Sequence, residues 1–208
     1  MTLLQIDYIK VAQAEGTDPP YSKADIQECI KHVVDIGYGE KTDIAPDIKI
    51  SMENAGHILG SSSVYMQIGE GSHEHRLLFS GDIKYEKSWL FDAAAVRFPK
   101  ADTLVIESTY GGPQDFQPNR TDATHEIQDL VKLAVSRSGK IFCPVFAVGR
   151  SQEVMLAIDQ LFKSGEVSPI TVWLDVMISE ATAIHSSHPD YLNRDLRKQV
   201  LRGGEENP

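Results

Sequence analysis

Apolar residues recur at helical spacing in the first part of the chain. Two segments have this spacing, and they end at Gly16 and at Gly37. The first covers residues 3–11; the second follows Ser22, a residue type that caps helix starts, and has apolar positions through Val34. The pattern therefore predicts two amphipathic helices.

The apolar positions then change to strand-like spacing. In this part, short runs in which apolar positions either alternate with polar ones or follow one another directly are separated by turn residues. Such runs are typical of strands. The predicted strands are residues 48–52, 64–68, 77–79 and 103–106. The following loop is rich in glycine and proline, so we predict a domain boundary near Gly111.

Beyond Gly111, helical and strand-like patterns take turns. Helices are predicted over residues 124–137, 151–163 and 178–185, and strands over residues 140–146 and 170–174. Such alternation indicates helices covering a parallel sheet, an α/β architecture.

Composition narrows the function classes. The chain has 208 residues, of which 41% are hydrophobic, enough to bury a core. Its formal charge of -10 argues against a surface that is basic overall, so any contact with nucleic acid has to be local.

Cys29 and Cys143 are far apart and form no CxxC motif, which argues against a disulfide framework or a cysteine-rich zinc site and favours a reducing cytoplasm. No apolar run has the length of a membrane span, so we expect a soluble protein without membrane contact.

Three metal-competent side chains follow predicted strands. His57 comes after residues 48–52, Asp82 after residues 77–79 and Glu107 directly after Ile106. Carboxyl ends of neighbouring strands are where α/β folds gather reactive groups, so these three side chains are candidates for one shared site. Each also has an ordinary interpretation: a turn histidine, a turn-forming aspartate and a solvated glutamate.

A helix start provides a separate candidate. Gly149 and Arg150 open the helix predicted over residues 151–163, and free N–H groups at that point, together with the guanidinium, suit a phosphate group of RNA. An ion pair between Arg150 and Glu153 is the alternative. Lys84, Lys87 and Arg120 are candidates for further positive charge nearby.

Four ordered motifs carry a family resemblance. They are NAGHILGS at residues 54–61, FSGD at 79–82, ESTYG at 107–111 and PVFAVGR at 144–150. Together the motifs resemble those of the metallo-β-lactamase/β-CASP family of ribonucleases, and GDIKYEK at 81–87 is similar to the archaeal members related to the cleavage and polyadenylation endonuclease, which act in RNA 3′-end formation and transcription termination. The resemblance implies part of a metallo-β-lactamase αββα sandwich over residues 1–110 and part of a β-CASP α/β domain over residues 111–208.

The resemblance also implies a chemistry. Two zinc ions activate a water that attacks an RNA phosphate. His57 resembles a zinc ligand, Asp82 resembles the carboxylate that bridges both zinc ions, and Glu107 resembles the acid that orients a proton-donating histidine. RNA is the implied partner, with assembly as a homodimer or within an RNA-processing complex.

Other motifs of that family have no counterpart in the chain. The HxHxDH motif is expected upstream of Met1, and motifs B and C beyond Pro208; we interpret His73, His75, His185 and His188 as surface or structural residues and not as replacements. Two ligands are too few for a zinc pair. We therefore expect a fragment of an endoribonuclease that is inactive as this chain alone.

Two other functions are alternatives to the hypothesis of an endoribonuclease fragment. A non-catalytic partner subunit of an RNA-processing complex would have lost metal ligands, whereas His57, Asp82 and Glu107 are all present. A lactamase-type hydrolase of a small molecule would lack the segment that contains Gly149 and Arg150.

Overall fold

The computed structural model describes residues 2–203, in which residues up to Gly37 form one compact unit and residues from Tyr38 onward form another. The first unit contains helices α1 (Thr2–Ala14) and α2 (Lys23–Lys31). Ser22 caps α2: its hydroxyl accepts a hydrogen bond from the Asp25 N–H at 3.3 Å, and its own N–H donates to the Asp25 carboxylate at 2.8 Å. Both predicted helices are confirmed.

The end of α2 differs from the prediction. The apolar spacing continues through Val34, but the helix ends at Lys31. The N–H of the next residue, His32, donates to the carbonyls of Cys29 and Ile30. Val33 and Val34 lie outside the helix and are exposed. Periodicity alone did not mark the residue at which the backbone leaves helical angles.

A five-stranded mixed sheet forms the centre of the second unit. Its strands, in spatial as well as chain order, are β1 (Lys41–Ala45), β2 (Ile48–Asn54), β3 (Ser62–Ile68), β4 (His75–Phe79) and β5 (Thr103–Val105). All neighbours are antiparallel except β4 and β5, which are parallel. The four predicted strands are confirmed, and β1 is an additional edge strand.

The register of the sheet explains the alternating apolar positions. Ile50 of β2 lies opposite Met66 of β3, so the alternate apolar residues of the two strands share one face. Ser63 and Tyr65 of β3 are buried on the other face, where the Tyr65 hydroxyl donates to the Lys100 carbonyl at 3.1 Å. One face of β3 is therefore buried at Ser63 and Tyr65, whereas Val64, Met66 and Ile68 on the other face are partly buried.

Four helices come after the sheet along the described part of the chain. They are α3 (Arg120–Ser136), α4 (Arg150–Lys163), α5 (Val176–Ser187) and α6 (Arg194–Gly203), with short 3₁₀ segments at Gly71–His73 and Pro189–Tyr191. Predicted helices at the positions of α3, α4 and α5 are confirmed. Buried Val131 of α3 and Leu161 of α4 pack together with Val167.

The two strands predicted after Gly111 are absent. Residues 140–146 and 170–174 have no regular secondary structure, and within the described range no strand lies beyond Val105. A strand needs a hydrogen-bonded neighbour as well as an apolar sequence. Here the side chains of Phe142 and Trp173 are 91% and 90% exposed. The expected parallel sheet of this half is therefore wrong: the architecture is α/β, with the one mixed sheet.

A buried cluster joins segments from both sides of Gly111. Leu90 and Phe91, in the loop after β4, pack with Leu192, and Leu59 and Leu156 pack against them. The loops that follow β2 and β4 thus contribute residues to one buried cluster. The domain boundary near Gly111 remains a prediction, as do the lactamase-type sandwich and the β-CASP domain.

None of the helices within residues 2–203 combines the length and apolarity that crossing a bilayer requires.

His185 of α5 is buried, as expected for a structural histidine. Its Nδ1 lies 2.7 Å from the Ala181 carbonyl, its Nε2 is buried without a hydrogen-bond partner in the described part of the chain, and its ring contacts that of Phe91. Burial lowers the pKa of His185 below its ordinary value, and the hydrogen bond to Ala181 opposes this only partly.

This burial predicts a pH-dependent stability. The unfolded chain takes up a proton on His185 near its ordinary pKa of 6.5, whereas the folded chain takes it up at lower pH, so the free energy of unfolding falls as pH decreases through that window. We expect urea denaturation of His185→Gln to show a smaller fall between neutral and mildly acidic pH. A His73→Gln control, at an exposed position, should keep the wild-type dependence; equal curves for His185→Gln and wild type would contradict this account.

Candidate active site

The three candidate residues follow strands that point the same way. Because β3 is antiparallel to both β2 and β4, and β5 is parallel to β4, strands β2, β4 and β5 end at the same edge of the sheet. His57, Asp82 and Glu107 follow these ends. The strand topology alone thus brings the three loops together.

Hydrogen bonds between side-chain hydroxyls and the backbone shape the His57 loop. The Ser61 hydroxyl oxygen accepts hydrogen bonds from the N–H groups of His57 at 3.1 Å and Ile58 at 3.2 Å. The Ser61 carbonyl accepts from the Tyr38 hydroxyl at 2.8 Å. Desolvation raises the pKa of Tyr38 to about 12, so this donor stays protonated. Tyr38 and Ser61 are positioning residues that sequence reasoning missed, because the contact joins residues 23 positions apart.

Gly56 allows the loop after β2 to touch the loop after β4. Its φ is +69°, and a Cβ atom there would lie 2.6 Å from the Lys84 carbonyl oxygen. The Lys84 N–H donates to the Ala55 carbonyl at 2.8 Å. The two loops are thus held together just before His57 and just after Asp82.

His57 and Asp82 form an accessible pair of metal-competent groups. His57 Nε2 lies 3.9 Å from Asp82 Oδ2, and the side chains are 42% and 68% exposed. A tetrahedral zinc with one nitrogen and one oxygen ligand holds these donors roughly 3.4 Å apart, so a side-chain shift of about half an ångström suits the pair to such an ion. Among the described residues no group of three or more His, Cys, Asp or Glu has a geometry for a metal. Within residues 2–203 the structure thus brings together two metal-competent groups but no complete set of metal ligands.

Glu107 secures the backbone beside Asp82. Its carboxylate accepts hydrogen bonds from the N–H groups of Ile83 at 2.9 Å and Thr109 at 3.2 Å. The Thr109 side chain and the Ile83 N–H lower the pKa of Glu107, and the nearby His57 adds to this, so the carboxylate is ionised at neutral pH. Glu107 thus fixes the segment that presents Asp82.

The start of α4 lies against the His57 loop. Gly149 has φ +83°, and a Cβ there would lie 3.3 Å from Ile58 Cγ2. The Gly149 N–H donates to the side chain of buried Gln152 at 2.7 Å, and the N–H groups of Arg150 and Ser151 donate to preceding carbonyls. The expectation of free N–H groups at Gly149 and Arg150 is therefore wrong. Gln152 was missed, although a Gln three positions after a helix cap is a recognisable capping signal.

The Glu153 carboxylate contacts cationic side chains from two other segments of the chain. Its Oε1 lies 2.8 Å from Arg120 Nη1 and 3.9 Å from Lys84 Nζ. The alternative pairing of Arg150 with Glu153 is not among the ion pairs within residues 2–203. Burial lowers the pKa of Lys84, with Arg120 and Arg150 contributing in the same direction against the carboxylate of Glu153.

Lys87 belongs to a different contact. Its Nζ lies 3.1 Å from Asp195 Oδ2, on α6. The positive charge near the site therefore comes from Lys84, Arg120 and Arg150.

The fold and site thus define an α/β protein with a His–Asp pair at the carboxyl edge of a mixed sheet and with Lys84, Arg120 and Arg150 close to one another. Nearly the whole chain is similar to a segment of proteins named transcription termination factor FttA. The relative from Methanosarcina mazei is 48% identical over 205 residues, which make up 99% of this chain and 32% of that protein. Those from Methanothermobacter thermautotrophicus and a Lokiarchaeum species are 46% and 43% identical over 98% of this chain.

The chain spans about one third of the length of these curated relatives. No protein-family model matches the chain.

Proposed function

We propose that this chain is part of a zinc-dependent endoribonuclease that cleaves RNA phosphodiester bonds in transcription termination or RNA 3′-end processing. The observation that carries the proposal is the pairing of His57 Nε2 with Asp82 Oδ2 at 3.9 Å, with both side chains accessible. The names of the relatives, transcription termination factors at 43–48% identity, support the biological setting. As this chain alone, we expect little or no cleavage.

The proposed metal ligands are His57 and Asp82. His57 offers Nε2, and Asp82 offers a carboxylate with two oxygens, the group that suits a position between two zinc ions. Zinc, when bound, supplies Lewis-acid polarisation of a phosphate and acidification of water. Since a catalytic zinc takes three protein ligands, this pair accounts for only part of the set.

Glu107 and the basic residues have supporting roles. Glu107 holds the backbone of Ile83 and thereby the direction of Asp82, and its ionised carboxylate lies close enough to His57 to interact with it electrostatically. Any orienting of a proton-donating histidine by Glu107 is part of the proposal. Gly149 allows the turn that brings Arg150 to the site, and the Arg150 guanidinium binds RNA phosphate. Assembly as a homodimer or within an RNA-processing complex is a prediction, as is a cytoplasmic location.

A chimaeric protein tests the function. The third of the Methanosarcina mazei relative that aligns with this chain is replaced by this chain, and cleavage of single-stranded RNA is measured with zinc and with a chelator. We expect zinc-dependent cleavage that His57→Ala abolishes and the control His73→Ala leaves intact. Termination without cleavage in all variants would instead favour the non-catalytic partner subunit, and hydrolysis of small esters without RNA cleavage would favour the small-molecule hydrolase.

A further inference from the structure

Two cations contact one largely buried carboxylate beside the candidate active site, and a third cation lies near one of them. Glu153, whose side chain is 15% exposed, contacts Arg120 and Lys84 through the same oxygen. The charge of Arg150 lies close enough to Lys84 to affect its protonation. We call Lys84, Arg120 and Arg150 the basic cluster.

The basic cluster has an excess of positive charge. Glu153 is the carboxylate that contacts Lys84 and Arg120, and Glu86 acts on Lys84 more weakly. The Arg150 guanidinium forms no ion pair with another residue in the 2–203 range, and the Arg150 residue is exposed. Cations brought together in this way repel one another, and an anion placed among them relieves that repulsion.

Two residues of the basic cluster are close in sequence to, or in contact with, the loops of the candidate active site. Lys84 is two residues after Asp82, and its carbonyl accepts a hydrogen bond from the Ala94 N–H at 2.9 Å. Arg150 follows Gly149, which lies against Ile58, the neighbour of His57. An extended anion that reaches the basic cluster is thus adjacent to the His57–Asp82 pair.

Glu153 holds two of the cations in place. Arg120 is at the first position of α3 and Glu153 is in the first turn of α4, so the contact at 2.8 Å joins the starts of the two helices. The side chains of Arg120 and Lys84 are 28% and 26% exposed, which restricts their rotamers. Cations restricted before binding lose less conformational entropy when they meet a phosphate.

We propose that Lys84, Arg120 and Arg150 bind one backbone phosphate of a single-stranded RNA, with Glu153 as the residue that positions Lys84 and Arg120. The choice of an RNA phosphate over free phosphate rests on the proposed function, since the occupant has to continue toward the His57–Asp82 pair. Guanidinium groups match phosphate oxygens in geometry, and the lysine adds a point charge.

Binding of a fluorescein-labelled single-stranded RNA to this chain, followed by fluorescence anisotropy at several salt concentrations, tests the proposal. We expect Lys84→Gln and Arg150→Gln each to weaken binding roughly tenfold and to reduce the salt dependence by about 0.7 in log K against log salt. Lys87→Gln, which makes the same change in net charge three residues from Lys84 but removes a cation paired with Asp195, should bind as the wild type does.

Equal losses in all three variants would mean that only net charge matters, and would overturn the proposal. Inorganic phosphate should displace the RNA only at far higher concentration than unlabelled RNA does; displacement at equal phosphate concentration would overturn the choice of RNA. Arg150 is exposed, so Arg150→Gln gives a result even where Lys84→Gln disturbs folding. No zinc and no cleavage enter this experiment, so its failure is separate from a failure of the proposed nuclease function.

Discussion

Asp82→Asn should lower RNA cleavage by the chimaeric protein by more than about 100-fold, because even outer partners of metal ligands cost 10–100-fold when they are removed. Asparagine keeps the shape of aspartate but loses the negative charge that the proposed position between two zinc ions needs. Within residues 2–203, the Asp82 side chain interacts with His57, at 3.9 Å, and it is 68% exposed. The fold should therefore tolerate the change, with the free energy of unfolding altered by less than about 0.5 kcal/mol.

The matched control for this prediction is Asp92→Asn. Asp92 is exposed in the loop after β4 and undergoes the same change in charge. Cleavage rate and bound zinc per chain are measured for both variants. Retention of cleavage and zinc by Asp82→Asn, or equal losses in both variants, would remove Asp82 from the metal site.

Gly56→Ala should destabilise the protein by about 3 kcal/mol and weaken zinc binding with it. A residue with a side chain is strained at φ +69°, which costs roughly 1–2 kcal/mol. The added Cβ would also lie 2.6 Å from the Lys84 carbonyl oxygen, 2.9 Å from the Ala94 nitrogen and 3.0 Å from the Asp92 carbonyl oxygen. Backbone atoms cannot rotate away, so the loops of His57 and Asp82 would have to move apart, adding about 1–3 kcal/mol.

Gly60→Ala separates strain from crowding. Gly60 lies in the same loop with φ +76°, but a Cβ there meets no atom within 4 Å. In urea denaturation, we expect Gly60→Ala to lower the free energy of unfolding only by the cost of backbone strain. The zinc affinity of the chimaeric protein should be unchanged by this substitution. Equal destabilisation by the two substitutions would show that the close approach at Gly56 does not hold the loops together.

Local patterns predicted most helices and the first strands correctly. The helices α1, α3, α4 and α5 have apolar spacing that depends only on near neighbours in the chain. The two wrong strands, residues 140–146 and 170–174, have equally clear apolar runs, but a strand also depends on a partner elsewhere in the chain, which no local pattern reveals. Strand β1 was missed for the converse reason: its ladder with β2 forms although its sequence, KTDIA, has little apolar alternation.

The candidate site was predictable in outline only. The approach of His57 to Asp82 follows from strand order, and the sequence placed both residues after strands. The cations around Glu153 were not predictable as a group, because Lys84, Arg120 and Glu153 come from three segments whose contact depends on the packing of α3 and α4. The use of the N–H groups at the start of α4 by Gln152 and by preceding carbonyls likewise appears only in three dimensions.

His57 and Asp82 are proposed to bind zinc in a protein that cleaves RNA. Anomalous diffraction at the zinc edge, from crystals of the chimaeric protein, tests it most directly. The account predicts a zinc peak within about 2.3 Å of both His57 Nε2 and an Asp82 carboxylate oxygen. Zinc bound in the crystal with neither residue among its ligands would contradict the account.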